Sequence, residues 1–271
     1  MKKASYWLIA LLVTLFFAVF QRATGPTYPV KGKGLDFDGA EISSYRLPRS
    51  CTTGAKDCVV RVESDIPLGG FITWNRLGDR GQRVLTGMLY DGGVLYGGLP
   101  DQPPAGKLEY SVTLRREDQT MRLGPERIVA RFKGDVPAYI LIPHVLLMFL
   151  FMVFSVRVMI ALFTRDLVVR HAVAWTSVFL LLGGFVFGPL TQYHAFGHYW
   201  TGWPYGGDLT DNKTLVMLLF WLAALWASFK AKKPRPWLVA AFVVTLLVYF
   251  IPHSMYGSQL DYSTGQVVTG R

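Results

Sequence analysis

Five apolar runs punctuate the chain, and a long polar stretch of alternating character separates the first from the rest. The runs cover residues 6–20, 139–163, 172–190, 215–229 and 237–251, the pattern of bilayer-spanning helices. Three fall short of the ~20 residues that an untilted span needs, so their flanks must contribute. A basic turn at 230–235 separates the fourth run from the fifth and predicts a helical hairpin. Between residues 28 and 133 the period changes from helical to alternating. Candidate strands cover 28–37, 41–47, 58–63, 70–76, 83–90, 94–98, 107–115, 120–123 and 127–132, broken by turns such as Asp91-Gly92-Gly93.

The expected fold is a membrane α-helical bundle of about five transmembrane helices plus an all-β extracytoplasmic sandwich, antiparallel and immunoglobulin-like. Four segments follow: an N-terminal signal-anchor over 1–24, the β domain over 25–136, and a four-helix membrane region over 137–255. The fourth is an extracytoplasmic tail over 256–271. Residues 191–213 form an outer connector within the membrane region.

Charge changes the picture in one respect, by giving the helices a direction. Lys2, Lys3, Arg165, Arg170, Lys230, Lys232, Lys233 and Arg235 share one side with a single acid, Asp166, which makes that side cytoplasmic. Much of the net charge of +10 is therefore topogenic, since residues 25–136 carry sixteen Lys and Arg against fourteen Asp and Glu. No basic face with interleaved aromatics points to a nucleic-acid partner. The first run resembles a secretory signal, but Ala18-Val19-Phe20-Gln21-Arg22-Ala23 offers no small-x-small cleavage site, so it reads as an uncleaved anchor. The N-terminus is then cytoplasmic, and the β domain and C-terminus are periplasmic, in a bacterial inner membrane. The only two cysteines, Cys51 and Cys58, bracket a turn, and a local disulfide suits that oxidising side.

The stretch from Leu89 to Leu114, LYDGGVLYGGLPDQPPAGKLEYSVTL, resembles a strand–loop–strand segment of bacterial immunoglobulin-like or fibronectin-III-like domains. The resemblance implies a tyrosine corner near Tyr110 and says little of function. Trp74, Tyr90 and Tyr96 read as core aromatics rather than as a glycan-binding platform. Gly134-Asp135-Val136-Pro137-Ala138-Tyr139, Tyr199-Trp200-Thr201-Gly202 and residues 208–213 resemble a family of bacterial inner-membrane proteins with an outer sandwich, which has no assigned activity. That resemblance implies architecture and transfers no catalytic residue.

Candidate chemistry gathers at the outer membrane face. His144, His194, His198 and His253 all map there, and His194 and His198 have the i,i+4 spacing that places two imidazoles on one side of a helical turn. Imidazole suits haem iron and copper, so a redox or metal subunit is one reading. The connector also carries Tyr199, Trp200, Trp203, Tyr205, Asp208, Asp211 and Lys213. Its aromatics suit an interfacial belt in contact with membrane lipid, and Thr210 or Asp211 suits an N-cap for the following helix. Taken together they form a candidate interaction surface. Arg157 inside the second run reads as snorkelling to the near interface. No nucleophile with an orienting base is evident. The leading expectation is thus a non-enzymatic accessory or scaffold subunit of a larger membrane complex.

Overall fold

The computed structural model describes residues 2–79, 81 and 83–269, so the first residue and the last two residues of the expected end segments lie outside it. The chain forms two compact units. One comprises residues 27–135 and 259–268, the other residues 1–26, 136–258 and 269–271.

The helical unit takes its elements from the apolar runs. It contains α1 (Lys2–Thr24), α2 (Ala138–Thr164), α3 (Val169–Leu180), a π-helical stretch (Leu181–Phe187), α4 (Gly188–Phe196), α5 (Leu209–Lys230) and α6 (Arg235–Phe250). From α3 to α4 the chain is one rod, Val169–Phe196. Its π-helical turn includes Gly184, where a Cβ would stand 2.8 Å from Thr214 Cγ2, so only glycine allows α5 this close. Phe151, Leu180, Met217 and Trp221 form the buried centre, and the Trp221 indole donates to Thr245 Oγ1 at 2.9 Å. α1 packs Ala10 and Phe17 against Met152, Val153 and Val156 of α2.

The β unit is built from two five-stranded sheets. The first runs β1 (Val30–Phe37), β2 (Ala40–Leu47), β4 (Val59–Ser64), β8 (Val94–Gly98), β7 (Leu89–Asp91). The second runs β3 (Ser50–Thr52), β10 (Gln119–Lys133), β9 (Lys107–Arg116), β5 (Gly69–Arg76), β6 (Val84–Gly87). Alternation sends Val60 and Val62 of β4, and Leu108, Tyr110, Val112 and Leu114 of β9, into one shared core. Burial of each such aliphatic side chain contributes about 1.5–3 kcal/mol. The Cys51–Cys58 disulfide is formed. Closing so short a loop stabilises the unit by on the order of 2–3 kcal/mol in the chain-entropy account.

The expected fold is corrected on three counts. Among the described residues four helices, not five, are long and apolar enough to cross a membrane; α6, with 16 residues, is a shorter apolar helix. At about 1.5 Å per residue, α6 falls short of a ~30 Å hydrocarbon core. The β unit is also not all antiparallel, because β3 pairs in parallel with β10 after Pro48 ends β2. Nor does Tyr110 make a tyrosine corner. Its hydroxyl donates to the Pro48 carbonyl at 2.8 Å, 62 residues upstream, where the corner bonds back only a few residues. The part of the immunoglobulin resemblance that rested on that corner falls with it.

Two local expectations also change. The single strand expected over 83–90 splits at Met88, whose N–H bonds Gly70 O, and its halves β6 and β7 join different sheets. The two strands expected over 120–132 are one, β10, with a bulge between Leu123 and Ile128. After α6, residues 259–268 return as a hairpin, β11 (Gln259–Leu260) and β12 (Val267–Val268), that belongs to the β unit. Leu260 N–H bonds Ala105 O at 2.9 Å, the Tyr262 hydroxyl bonds Gln102 Oε1 at 3.0 Å, and the Arg76 guanidinium lies 4.4 Å from the Tyr262 ring centre. Tyr262→Ala should cost about 1–3 kcal/mol of β-unit stability, with Tyr262→Phe losing less. Hydrogen exchange at residues 102–107 of the full chain reads this out, and unchanged protection in the alanine variant would refute it.

Arg157 does not snorkel. It is fully buried on α2, and its Nη2 bonds Asp166 Oδ2 at 2.6 Å. Asp166 also accepts from Thr164 Oγ1 at 2.5 Å. The guanidinium carbon lies 4.9 Å from the Trp7 ring centre and 5.7 Å from that of Tyr6, while among the described residues Nε and Nη1 have no hydrogen-bond partner. A carboxylate in the α2–α3 turn replaces the water that a snorkelling arginine would seek.

Candidate functional site

The connector between α4 and α5 is held by its own polar side chains. α4 ends at Gly197 in the left-handed conformation, and α5 starts at Asp208. Asp208 is the N-cap, not Thr210 or Asp211, because its Oδ1 accepts from Thr210 N–H at 2.8 Å and Asp211 N–H at 3.4 Å. This frees the Asp211 carboxylate to reach back over the loop. Asp211 Oδ2 accepts from Thr201 N–H at 2.7 Å, Thr201 Oγ1 at 3.2 Å and Gln192 Nε2 at 3.2 Å. Asn212 Oδ1 accepts from Trp203 N–H at 2.6 Å. Gly202 lies so close beneath that a Cβ there would stand 2.6 Å from Asp211 Cβ and 2.8 Å from Asn212 Oδ1.

The remaining cation ties the far side. Lys213 Nζ donates to the Ile251 carbonyl at 2.9 Å and to the Pro252 carbonyl at 3.4 Å, satisfying groups that the end of α6 leaves open. Gln21 Nε2 from α1 donates to Tyr249 O at 2.7 Å at the same helix end. Thr269 Oγ1 accepts from Gly207 N–H at 3.0 Å.

With the polar groups turned inward, the aromatics divide into two sets. Trp200 is held within the loop: its indole stacks on Phe185 at 5.5 Å and donates to Trp203 O at 3.1 Å. Tyr199, Trp203 and Tyr205 stand out, 54%, 69% and 83% exposed. Tyr199 is braced by Tyr193, whose ring lies parallel to it at 4.3 Å.

The chain finds no match among protein-family models, curated proteins or solved structures.

The seven connector residues that the sequence groups into one surface do not share one environment. Asp208, Asp211 and Lys213 are buried and bonded within the fold, which leaves Tyr199, Trp203 and Tyr205 as the outward set. Thr201 and Asn212 fall within the stretches 199–202 and 208–213 that the sequence singles out, but nothing there shows that they, with Gln192, set the loop's shape. Their bonds join positions 9 to 19 apart across an irregular loop, where no period operates.

The four histidines are likewise not brought into one group. His144 Nδ1–H donates to the Gly183 carbonyl of the π-helical stretch at 2.9 Å. His194 lies on the last turn of α4 with its ring edge-on to Tyr193, His198 follows the helix end, and His253 follows α6. Among the described residues no three His, Cys, Asp or Glu side chains are placed to hold a metal ion.

Proposed function

We propose that the protein is a membrane-anchored accessory subunit whose connector offers a pre-shaped aromatic surface to a membrane-protein partner. The carrying observation is the division of the connector. Asp208, Asp211 and Lys213 lock the loop from inside, while Tyr199, Trp203 and Tyr205 face outward. Large aromatic rings are enriched at contact hot spots, and a loop already fixed by hydrogen bonds loses little conformational freedom on binding. The disulfide and the positive charges at 165–170 and 230–235 support a placement with the N-terminus cytoplasmic and the β unit outside a bacterial inner membrane.

The test is purification of the full chain in mild detergent, beside a variant with Tyr199, Trp203 and Tyr205 all changed to serine. The wild-type chain should retain a stoichiometric partner and the variant should lose it, with unchanged thermal unfolding of both. A wild-type chain that purifies alone and acts alone in liposomes would overturn the proposal. So would a variant that keeps its partner and loses only its hold on the bilayer, because the rings would then serve lipid contact.

A further inference from the structure

At one end of the β unit lies a cavity of about 490 Å³, within the range of small-ligand sites. Its lining draws on both sheets and includes Trp74 of β5 and Tyr96 of β8, with Lys56, Asp57 and Asp101 from the loops. The sequence places Trp74 and Tyr96 in the core. Trp74 does pack partly against it, but Tyr96 is 38% exposed, and both line this opening.

The polar groups are half engaged. Asp57 Oδ1 accepts from Thr52 N–H and Asp101 Oδ2 from Gly54 N–H, both at 2.9 Å. These bonds hold the two carboxylates in place, and among the described residues the second oxygen of each makes no hydrogen bond. The Trp74 indole is oriented by its bond to Thr86 Oγ1 at 3.0 Å. The loop carrying Lys56 and Asp57 is closed at its base by the Cys51–Cys58 disulfide, and Cys58 itself lines the cavity. The site is therefore built and braced rather than a gap in packing.

We propose that this cavity binds a neutral saccharide. A sugar ring has apolar C–H faces that suit aromatic side chains and hydroxyls that both donate and accept. Two carboxylates accept from such hydroxyls, and the Lys56 ammonium and Tyr96 hydroxyl donate to them. Two acids against one cation give the lining a negative balance, which disfavours phosphate or acidic sugars.

Saturation-transfer NMR on the full chain tests this, in a non-glycosidic detergent so that the micelle supplies no sugar. The probes are maltose and chitobiose, each at about 10 mM, a concentration that reveals millimolar binding. At least one disaccharide should receive saturation on its ring protons. Tyr96→Ala should weaken its binding by about three- to tenfold, the worth of one aromatic contact. Lys56→Ala, on an exposed turn, should weaken it as well and serves as the second variant if Tyr96→Ala misfolds. No transfer to either disaccharide overturns the proposal, as does transfer that both folded variants leave unchanged. A lysine-rich peptide that binds in a Tyr96-dependent way while the sugars do not would assign the cavity to protein and overturn it equally.

Discussion

Replacing Asp166 by alanine is expected to lower the unfolding free energy by about 3–5 kcal/mol, the cost of stranding one member of a buried ion pair. Arg157 Nη2 would lose its bond to Asp166, and among the described residues Nε and Nη1 have no hydrogen-bond partner to begin with. A guanidinium with no acceptor, closed in by Trp7 and Tyr6, has neither water nor a counter-charge. The double variant Arg157→Met/Asp166→Ala should recover most of the loss, because it removes the stranded charge and leaves an apolar chain of similar length. Denaturant unfolding of the four proteins in one detergent completes the cycle. A double-variant loss equal to the sum of the two single losses would show that the pair is not coupled.

The same carboxylate gives the pair a pH dependence. Burial pushes the Asp166 carboxyl up, but hydrogen bonds from Thr164 and Arg157 and the Arg157 charge together hold it below its ordinary 3.8. A depressed carboxyl contributes stability that is fully present above the unfolded value and is lost as pH falls through the folded one. The advantage of wild type over Asp166→Ala should therefore hold at neutral pH and shrink on acidification below 3.8.

The second large effect is expected at Asp211. Alanine there removes the acceptor for Thr201 N–H, Thr201 Oγ1 and Gln192 Nε2, and a buried donor left without a partner costs about 1–3 kcal/mol. A total loss of about 2–4 kcal/mol follows, since these donors share one loop and some can turn to water. Asparagine keeps one oxygen and should lose less. Functionally, Asp211→Ala should release the partner that the proposed surface holds, although Asp211 itself is buried. Hydrogen exchange at residues 199–207 separates this from a direct contact. Faster exchange with partner loss supports positioning, and partner loss with unchanged exchange contradicts it.

These two acids mark where the sequence is legible and where it is not. The apolar runs are plain in composition, because a lipid-facing helix needs continuous hydrophobicity, and each becomes a helix. Their count as membrane spans is less secure, since α6 is apolar but short. The disulfide is readable because two cysteines bracket one turn. Arg157 is visibly anomalous, yet its partner lies in the α2–α3 turn, where helical period no longer relates positions. The Asp211 network has the same character, with contacts between an irregular loop and a helix start. In the β unit, alternation finds most strands but not their sheets: β3 and the switch at Met88 are decided by packing. β11 and β12 have two residues each, too few for alternation to register at all.

That last pair has a consequence for how the molecule is made. Strands β1–β10 end at Lys133, but the hairpin that bonds Ala105 and Gln102 follows α6. A nascent chain can therefore assemble most of the β unit early, yet not its finished form until every helix has been synthesised. Completion of the β unit reports on completion of the helices, so a chain interrupted anywhere in α2–α6 carries a visibly unfinished surface at residues 102–107.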